Sequence, residues 1–447
     1  MNVTVMLPGS QAVAGIRLLA ALGILLILAA CQPTVFLMPT PVALSTGEID
    51  PFSTNPMLEK NTRIPVFFAT NRVPSGTVES RDYTLFADDN TVRLGLATLR
   101  IGDGSLDWEG LYAISTGRDV EKRPPLLLDK IDEWAAIDLG DGEPDLSPEA
   151  VRFFEAINRA LAESRDKDLM VYVHGANCNV YRATAQAAQY RHFTGRNSVV
   201  LAFAWPSAAS LLRYGTDVKH AAITAPLFAE FIRLLAAHTR ANNINILAYS
   251  AGAQVASPAL ALLGKGAAGE SSEQLRQQLR LGEVYFAAPD ANFRQFVYDL
   301  YQYVDIVNNV TSAVNLDDDV LAIAQFHHGV SRAGRPDFQE LDEEETQWLI
   351  EATQRPTFDI INIDPGTIPN LGSGSHSFWY DQPWVSSDVL VQFLLHARPA
   401  KRGLVENTAE GDGQYWTFPA DYDTRIIELL KVSRPRGGDG APVQPAD

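Results

Sequence analysis

The sequence predicts an α/β fold, with a mostly parallel sheet, helices on both of its faces and a β-rich extension on the amino-terminal side. Short apolar runs without polar interruptions alternate with longer amphipathic segments through most of the chain. Strands that are covered on both faces need such runs, and the helices between them provide crossover connections. One run, 244–248, leads to Ser250 and then into a helix-compatible stretch, with small residues two places before and after the serine. This spacing is typical of a sharp strand-to-helix turn.

Composition limits the class of partner. The chain has 447 residues, 46% of them hydrophobic, and a formal net charge of -18. A chain of this length and composition can bury a large core. Nucleic acid carries a dense negative charge that such a surface would repel, so we expect no nucleic acid partner.

The amino terminus resembles that of a bacterial lipoprotein precursor. Arg17 precedes an apolar run, 18–30, which has the length of a signal-peptide hydrophobic region and leads through Leu-Ala-Ala to Cys31. The resemblance implies that 1–30 is a lipoprotein signal peptide, that Cys31 is lipidated, and that the protein is anchored to a membrane of the bacterial cell envelope. Gln32 in place of Asp favours the outer membrane if the host is Gram-negative. An ordinary secretory signal and an uncleaved anchor helix are the alternatives.

Composition divides the rest of the chain into four parts. Residues 31–61 carry several prolines among Ser, Thr and Asn and are interpreted as a Pro-rich tether. Residues 62–140 contain strand-like runs and turn residues, and we expect this β-rich lead-in to add strands to the main sheet. Residues 141–400 form the main α/β domain. The segment 401–447 is interpreted as a largely disordered tail, because Pro, Gly and Asp are frequent after Ser433.

The main domain alternates helices and strands in an order that predicts right-handed crossovers. Ser147 precedes Pro148 as a helix N-cap, and the helix that follows carries one apolar face. The apolar pattern then predicts strands at 169–173 and 198–206, helices at 181–193 and 223–235, the strand at 244–248 with a helix after it, strands at 283–290 and 310–315, a helix from 320, a last strand at 358–363 and a last helix at 384–396.

Three kinds of side chain that together form a hydrolytic triad occur in a suitable order. A serine hydroxyl becomes a good nucleophile when a histidine removes its proton and an acid orients that histidine. After Ser250 the chain supplies an acidic loop at 317–319 and a Gly/Ser-rich loop at 372–377. Serine, acid, histidine is the chain order found where these groups follow the strands of a parallel sheet. Among the eight histidines, His376 alone lies in such a loop after the last predicted strand and is the candidate base.

The acid is less well defined by the pattern. Asp290, Asp318 and Asp364 each follow a predicted strand. Carboxylates at strand ends also commonly serve as turn residues and helix caps. The position after the penultimate strand favours Asp318, and the other two remain alternatives.

Two backbone amides are candidates for an oxyanion hole. The amide of Ala251 follows the serine, and that of Ala176 lies in the glycine-containing loop after the strand that ends at Val173. Cys178 is interpreted as a buried thiol rather than as a nucleophile, because nothing places it at a comparable turn. We expect no metal site, since three adjacent aspartates do not match the alternating ligand spacing of a calcium loop.

Together these segments resemble a bacterial α/β-hydrolase family of unknown function. Its members carry an Ala-Thr-Asn-Arg lead-in, a His-Gly-Phe-Asn loop and a small-x-Ser-x-Gly turn, and the resemblance covers residues 62–397. It implies an α/β-hydrolase fold that needs no cofactor. Ala176 replaces the family's Phe and Tyr249 replaces its usual His, so pocket shape and substrate cannot be carried over. The matching segments are 69–72, 174–177, 248–252, 288–290, 318–321 and 376–379.

These observations predict a serine hydrolase that cleaves an ester, thioester or related acyl bond of a small-molecule or lipid substrate. Ser250 is the expected nucleophile, His376 moves the proton, and Asp318 orients His376. A non-catalytic envelope scaffold or binding module on the same fold is one alternative, and an acyltransferase is another. The complete set of serine, acid and histidine argues against a scaffold, which has no need of all three.

Overall fold

The computed structural model of the protein describes residues 34–45, 49–78, 80–117, 122–140, 142, 144–208, 214–266, 270–409 and 411–432. The signal peptide predicted at 1–30 and the predicted lipidation of Cys31 lie outside the described residues, as does the tail beyond Val432.

Eleven strands of the described residues form one large sheet, and two more form a separate hairpin. The strands are β1 (Arg63–Thr70), β2 (Arg72–Gly76), β3 (Arg81–Ala87), β4 (Thr91–Ile101), β5 (Leu126–Asp138), β6 (Leu169–Val173), β7 (Val199–Phe203), β8 (Ile244–Tyr249), β9 (Leu281–Ala287), β10 (Asn309–Val314), β11 (Phe358–Asn362), β12 (Val405–Thr408) and β13 (Gln414–Thr417). Across the large sheet the order is β12-β13-β11-β10-β9-β8-β6-β7-β1-β4-β5, and β2 pairs with β3.

The centre of the sheet is parallel. Strands β1, β7, β6, β8, β9, β10 and β11 pair with their neighbours in the same direction. Every residue of β6 and of β8 is buried, as expected for the largely apolar runs in the sequence. On the amino-terminal side β4 pairs antiparallel with both β1 and β5. The predicted α/β fold, with its mostly parallel sheet and amino-terminal strands, is confirmed.

Helices cover both faces of the sheet. Neighbouring residues of β8 alternate between two apolar clusters: Ile246 packs in a cluster with Phe153 and Phe228, whereas Leu247 packs in a cluster with Tyr190 and Phe393. The helices are α1 (Trp108–Thr116), α2 (Pro148–Glu163), α3 (Val180–Phe193), α4 (Tyr214–His238), α5 (Ala253–Gly264), α6 (Ser272–Leu279), α7 (Phe293–Tyr303), α8 (Asp319–His328), α9 (Glu343–Thr353), α10 (Phe378–Asp381), α11 (Pro383–Leu395) and α12 (Tyr422–Val432).

One helix in the described part of the chain is long and apolar enough to cross a membrane, judged by length and composition alone. It is the part of α4 from Gly215 to His238, with a mean hydropathy of 1.3, and 61% of the apolar window is buried inside the protein. Phe228 and Phe231 of α4 pack on Phe203 of β7. These contacts are those of a helix in the core.

The interpretation of 31–61 as a tether is wrong for residues 34–45. Val35, Leu37, Met38 and Val42 to Leu44 are buried. The segment is held by hydrogen bonds from the Leu37 amide to the Pro124 carbonyl, 2.8 Å, and from the Val42 amide to the Pro383 carbonyl, 3.2 Å. The prolines masked an apolar run that packs against the same side of the sheet as α3 and α11.

The interpretation of 401–447 as a disordered tail is wrong for the described residues up to Val432. Strand β13 pairs in parallel with β11, with Trp416 opposite Ile361, and β12 then pairs antiparallel with β13. Phe418 and Tyr422 are buried beside Trp384 of α11. These two strands cover the edge of β11, which would otherwise present unpaired backbone groups.

Candidate active site

Ser250 lies at the turn between β8 and α5, in an unusual backbone conformation. Its φ is 50°, in the left-handed region that residues other than glycine rarely adopt. The space around it explains the small neighbours in the sequence. A Cβ added to Gly252 would lie 2.4 Å from the Val173 carbonyl oxygen, and one added to Gly175 would lie 2.9 Å from the Ser250 Cβ. The turn therefore has the strain and the close approach of a nucleophile elbow.

His376 reaches the serine from the loop between β11 and α10. Its Nε2 is 2.8 Å from the Ser250 Oγ, and the two residues are 126 positions apart in the chain. Two contacts hold this loop in place: the Asn315 side-chain amide donates to the Ser375 carbonyl at 2.7 Å, and the Asp319 amide donates to the Gly374 carbonyl at 3.3 Å. The loop of His376 is thus held in position by residues that follow the neighbouring strand β10.

Asp318 contacts the other ring nitrogen of the histidine. Its Oδ2 is 2.6 Å from His376 Nδ1, and the residue is fully buried. Its Oδ1 accepts a hydrogen bond of 3.0 Å from the Leu321 amide, so the same carboxylate caps the amino terminus of α8. Ser250, His376 and Asp318 therefore form one continuous hydrogen-bonded line.

The two alternative acids make other contacts. Asp290 forms a buried ion pair with Arg332, with an oxygen-to-nitrogen distance of 2.5 Å. Asp364 closes a turn, accepting from the Gly366 amide at 2.8 Å and from the Thr367 hydroxyl at 2.9 Å. Of the three candidates, Asp318 is the one in hydrogen-bond contact with His376.

The loop with Ala176 lies directly beside the serine, as its close approach at Gly175 shows. Ala251 is fully buried and Asn177 has a φ of 51°, which turns the loop sharply. Among the described residues, no backbone hydrogen bond outside the helices and strands uses the Ala176 amide or the Ala251 amide as a donor. Their role as an oxyanion hole stays a prediction.

The buried side chain of Arg72 stabilises the loop that carries Ala176 by hydrogen bonds. Its Nη2 donates to the carbonyl of Cys178 at 2.5 Å and to that of Trp205 at 2.7 Å. The Trp205 indole in turn donates to the His174 carbonyl at 2.6 Å. Burial lowers the pKa of Arg72 to about 10, which leaves the guanidinium charged at neutral pH. The Ala-Thr-Asn-Arg lead-in thus contributes a support for the loop.

Burial keeps two potentially reactive side chains of this loop, those of His174 and Cys178, uncharged. Burial lowers the pKa of His174 to about 3, so its imidazole is neutral, and the ring stacks on Trp205. Burial raises the pKa of the Cys178 thiol to about 12. The residue is buried and unpaired, which confirms its interpretation as a small buried thiol.

Aromatic side chains form one wall around the histidine. The ring of Tyr249 is centred 5.4 Å from that of His376 and 5.7 Å from that of Tyr380, which it meets edge to face. Trp379 packs on both tyrosines. Sequence reasoning registered Tyr249 only as a departure from the family pattern and did not connect it to the base loop.

Asn315 is a second residue that sequence reasoning missed. Its side-chain oxygen accepts from the Asp317 amide at 3.0 Å, and its side-chain nitrogen donates to the Ser375 carbonyl. One buried side-chain amide therefore joins the loop at 317–319, which carries Asp318, to the base loop, 372–377, which carries His376. A polar residue at the end of the predicted strand 310–315 was the available signal.

Among the described residues, no group of three or more His, Cys, Asp and Glu side chains has an arrangement that would hold a metal ion.

Comparison with known proteins places the chain in a family. A search of curated proteins found no match. The model of an alpha/beta hydrolase family of unknown function (DUF900) matches residues 150–383, which is more than half of the chain and includes Ser250, Asp318 and His376. The chain therefore belongs to this family of α/β hydrolases of unknown function.

Proposed function

We propose that the protein is a serine hydrolase that cleaves an ester, thioester or related acyl bond through an acyl-serine intermediate. The observation that carries the proposal is the continuous line of hydrogen bonds from Ser250 Oγ through His376 to Asp318, 2.8 Å and 2.6 Å long. These lengths are those at which a base removes a proton from a nucleophile.

In the first half of the proposed reaction, His376 Nε2 takes the hydroxyl proton while Ser250 Oγ attacks the acyl carbon. The carbonyl oxygen gains negative charge, which the amides of Ala176 and Ala251 stabilise by hydrogen bonds. His376 then gives its proton to the leaving alcohol or thiol, and the acyl group remains on the serine. In the second half, His376 deprotonates a water molecule that attacks the acyl-serine and releases the acid.

Asp318 supports both halves. Its contact with Nδ1 holds the imidazole in the tautomer that leaves Nε2 free to accept, and it stabilises the imidazolium that forms. Because its second oxygen is bonded to the start of α8, the carboxylate cannot rotate without losing that cap.

We also propose that the protein is anchored to a membrane of the bacterial cell envelope through lipidated Cys31. The lipoprotein-like sequence that ends at Cys31 supports this, and Val35, four residues later, is buried in the folded domain. A fully extended chain covers that interval in about 14 Å, so the folded domain would lie close to the bilayer. Metabolic labelling with palmitate should mark the wild type and not Cys31→Ser; equal labelling of both would contradict the anchor.

The catalytic proposal is tested on the purified full chain in detergent, with a fluorophosphonate probe and short-chain p-nitrophenyl esters. Ser250→Ala and His376→Ala should lose both labelling and turnover, because one lacks the nucleophile and the other its base. Ser53→Ala and His238→Ala, which change exposed residues, are the matched controls.

Two outcomes would contradict the proposal. Labelling that persists in Ser250→Ala would mean that another residue is the nucleophile. A folded wild type that neither labels nor hydrolyses any ester or thioester of a panel would favour a scaffold or binding module on the hydrolase fold.

A further inference from the structure

Arg182 lies in the first turn of α3, directly after the loop that carries Ala176. The Asn179 side chain caps this helix by accepting from the Arg182 amide at 2.9 Å, so the backbone of Arg182 is fixed relative to the loop. The side chain is half-buried, and its Nη1 donates a single long hydrogen bond of 3.5 Å to the Asn177 carbonyl.

This guanidinium has unused binding capacity. Among the described residues it forms no ion pair, whereas buried Arg332 and Arg402 are paired with carboxylates at 2.5 Å and 2.8 Å. A guanidinium has five N–H donors in a planar fork, and one long bond engages one of them. A partly desolvated cation without a carboxylate partner is costly to hold unless another group binds it.

The guanidinium lies beside the candidate active site, because its Nη1 contacts the carbonyl of Asn177, the residue after Ala176. Tyr249, which precedes the serine, and Tyr380, in the helix after His376, are near enough to Arg182 to affect its pKa. Burial raises the pKa of the Asp381 carboxyl, and the Arg182 guanidinium acts against that rise. The cation thus lies at the rim between the loop of Ala176 and the loop of His376.

We propose that Arg182 is a specificity-determining residue that binds a carboxylate on the substrate, so that the preferred substrates are acyl esters or thioesters bearing a carboxylate. This inference rests on the proposed hydrolase function. The planar fork matches a carboxylate with two parallel hydrogen bonds. The nearby carboxylate of Asp381 opposes a second negative charge, which favours a singly charged carboxylate over a doubly charged phosphate.

The kinetic test compares two esters of equal length, p-nitrophenyl hemiglutarate and p-nitrophenyl valerate, on the full chain. In Arg182→Met the ratio of kcat/KM for the anionic ester to that for the neutral ester should fall by about 10- to 100-fold, mainly through KM, as expected for the loss of a charge-assisted pair. Arg182→Lys should recover part of the ratio. Arg182→Glu should shift preference towards p-nitrophenyl 4-(trimethylammonio)butyrate.

A purely structural role for Arg182, through its bond to Asn177, would lower kcat for both esters equally and leave their ratio unchanged. That result would overturn the proposal, as would a wild type that prefers the neutral ester by the same ratio as Arg182→Met.

A binding measurement separates this proposal from the hydrolase function itself. Glutarate is titrated by calorimetry into the full chain carrying Ser250→Ala, and into the same chain with Arg182→Met added. Saturable binding that is lost in the double variant supports the carboxylate site even if no ester is turned over. Equal binding by both chains, or none by either, would overturn it.

Discussion

Asp318 uses its two carboxylate oxygens for two different tasks, one towards His376 and one towards the Leu321 amide. The sequence could identify Ser250 and His376, because the small residues around one and the loop around the other are local signals. It favoured Asp318 among the three aspartates that follow strands, but it left the other two as alternatives. That choice depended on which carboxylate meets His376, a residue 58 positions away from Asp318.

At this scale we predict that Asp318→Asn lowers kcat on the order of 10⁴-fold, because an amide favours the wrong histidine tautomer. The asparagine oxygen can still cap α8, so the melting temperature should change little. Asp364→Asn is the matched control, since Asp364 contacts only its own turn, and it should retain wild-type kcat. Comparable losses in the two variants would refute the assignment of the acid.

At the scale of elements, the base loop depends on glycine at one position and not at another two residues before it. Gly374 has a φ of 76°, and a Cβ there would lie 2.1 Å from an oxygen of Asp319. A Cβ on Gly372 would meet no atom within 4 Å. Substitutions at these two positions therefore distinguish a change in the backbone conformation of the loop from the mere loss of a glycine.

We expect Gly374→Ala to lower kcat/KM by about 10-fold and the free energy of unfolding by about 1 kcal/mol, because alanine is strained at positive φ and displaces the loop that carries His376. Gly372→Ala should leave both within experimental error. Urea unfolding and ester kinetics on the same samples provide the check. If Gly372→Ala proved as harmful as Gly374→Ala, the loop would owe its function to flexibility instead.

Element boundaries also show where sequence patterns fail. The short apolar runs predicted the central strands because burial on both faces leaves few polar positions. Strands β12 and β13 have four residues each and are only partly buried, so they carry no such pattern. The edge of β11 provides hydrogen-bond partners for β13, and β13 provides them for β12.

For the whole molecule, a buried polar layer lies at the amino ends of the central strands, away from the serine. His396, just after α11, bridges Asp168 at 3.1 Å and Glu283 at 3.2 Å. Hydrogen bonds to these two carboxylates raise its pKa to about 10. The protonated ring therefore joins the amino-terminal ends of β6 and β9 to the carboxyl-terminal end of α11.

Because the pKa of His396 is raised in the folded state, its contribution to the free energy of unfolding decreases as the pH rises. The stabilisation by protonated His396 is complete below about pH 6.5, the value for an unfolded histidine, and is lost as the pH rises through about 10. We expect His396→Gln to lower the free energy of unfolding by roughly 1–2 kcal/mol at pH 6, a discounted value because 38% of the side chain is exposed.

The difference between wild type and His396→Gln should shrink steadily in urea unfolding at pH 6, 8 and 10. His238→Gln, which changes an exposed histidine, should show no such trend. A difference that stayed constant with pH would mean that His396 acts through packing and not through its charge.

The sequence by itself determined the fold class, the order of the central strands and the positions of Ser250 and His376, because apolar periodicity and small-residue spacing are properties of short segments. Only the tertiary structure decided the acid, the packing of residues 34–45, the edge strands up to Val432, and the supporting roles of Arg72 and Asn315. Each of these depends on contacts between segments far apart in the chain. Burial of a residue by a distant segment produces no pattern in the residues next to it in the sequence.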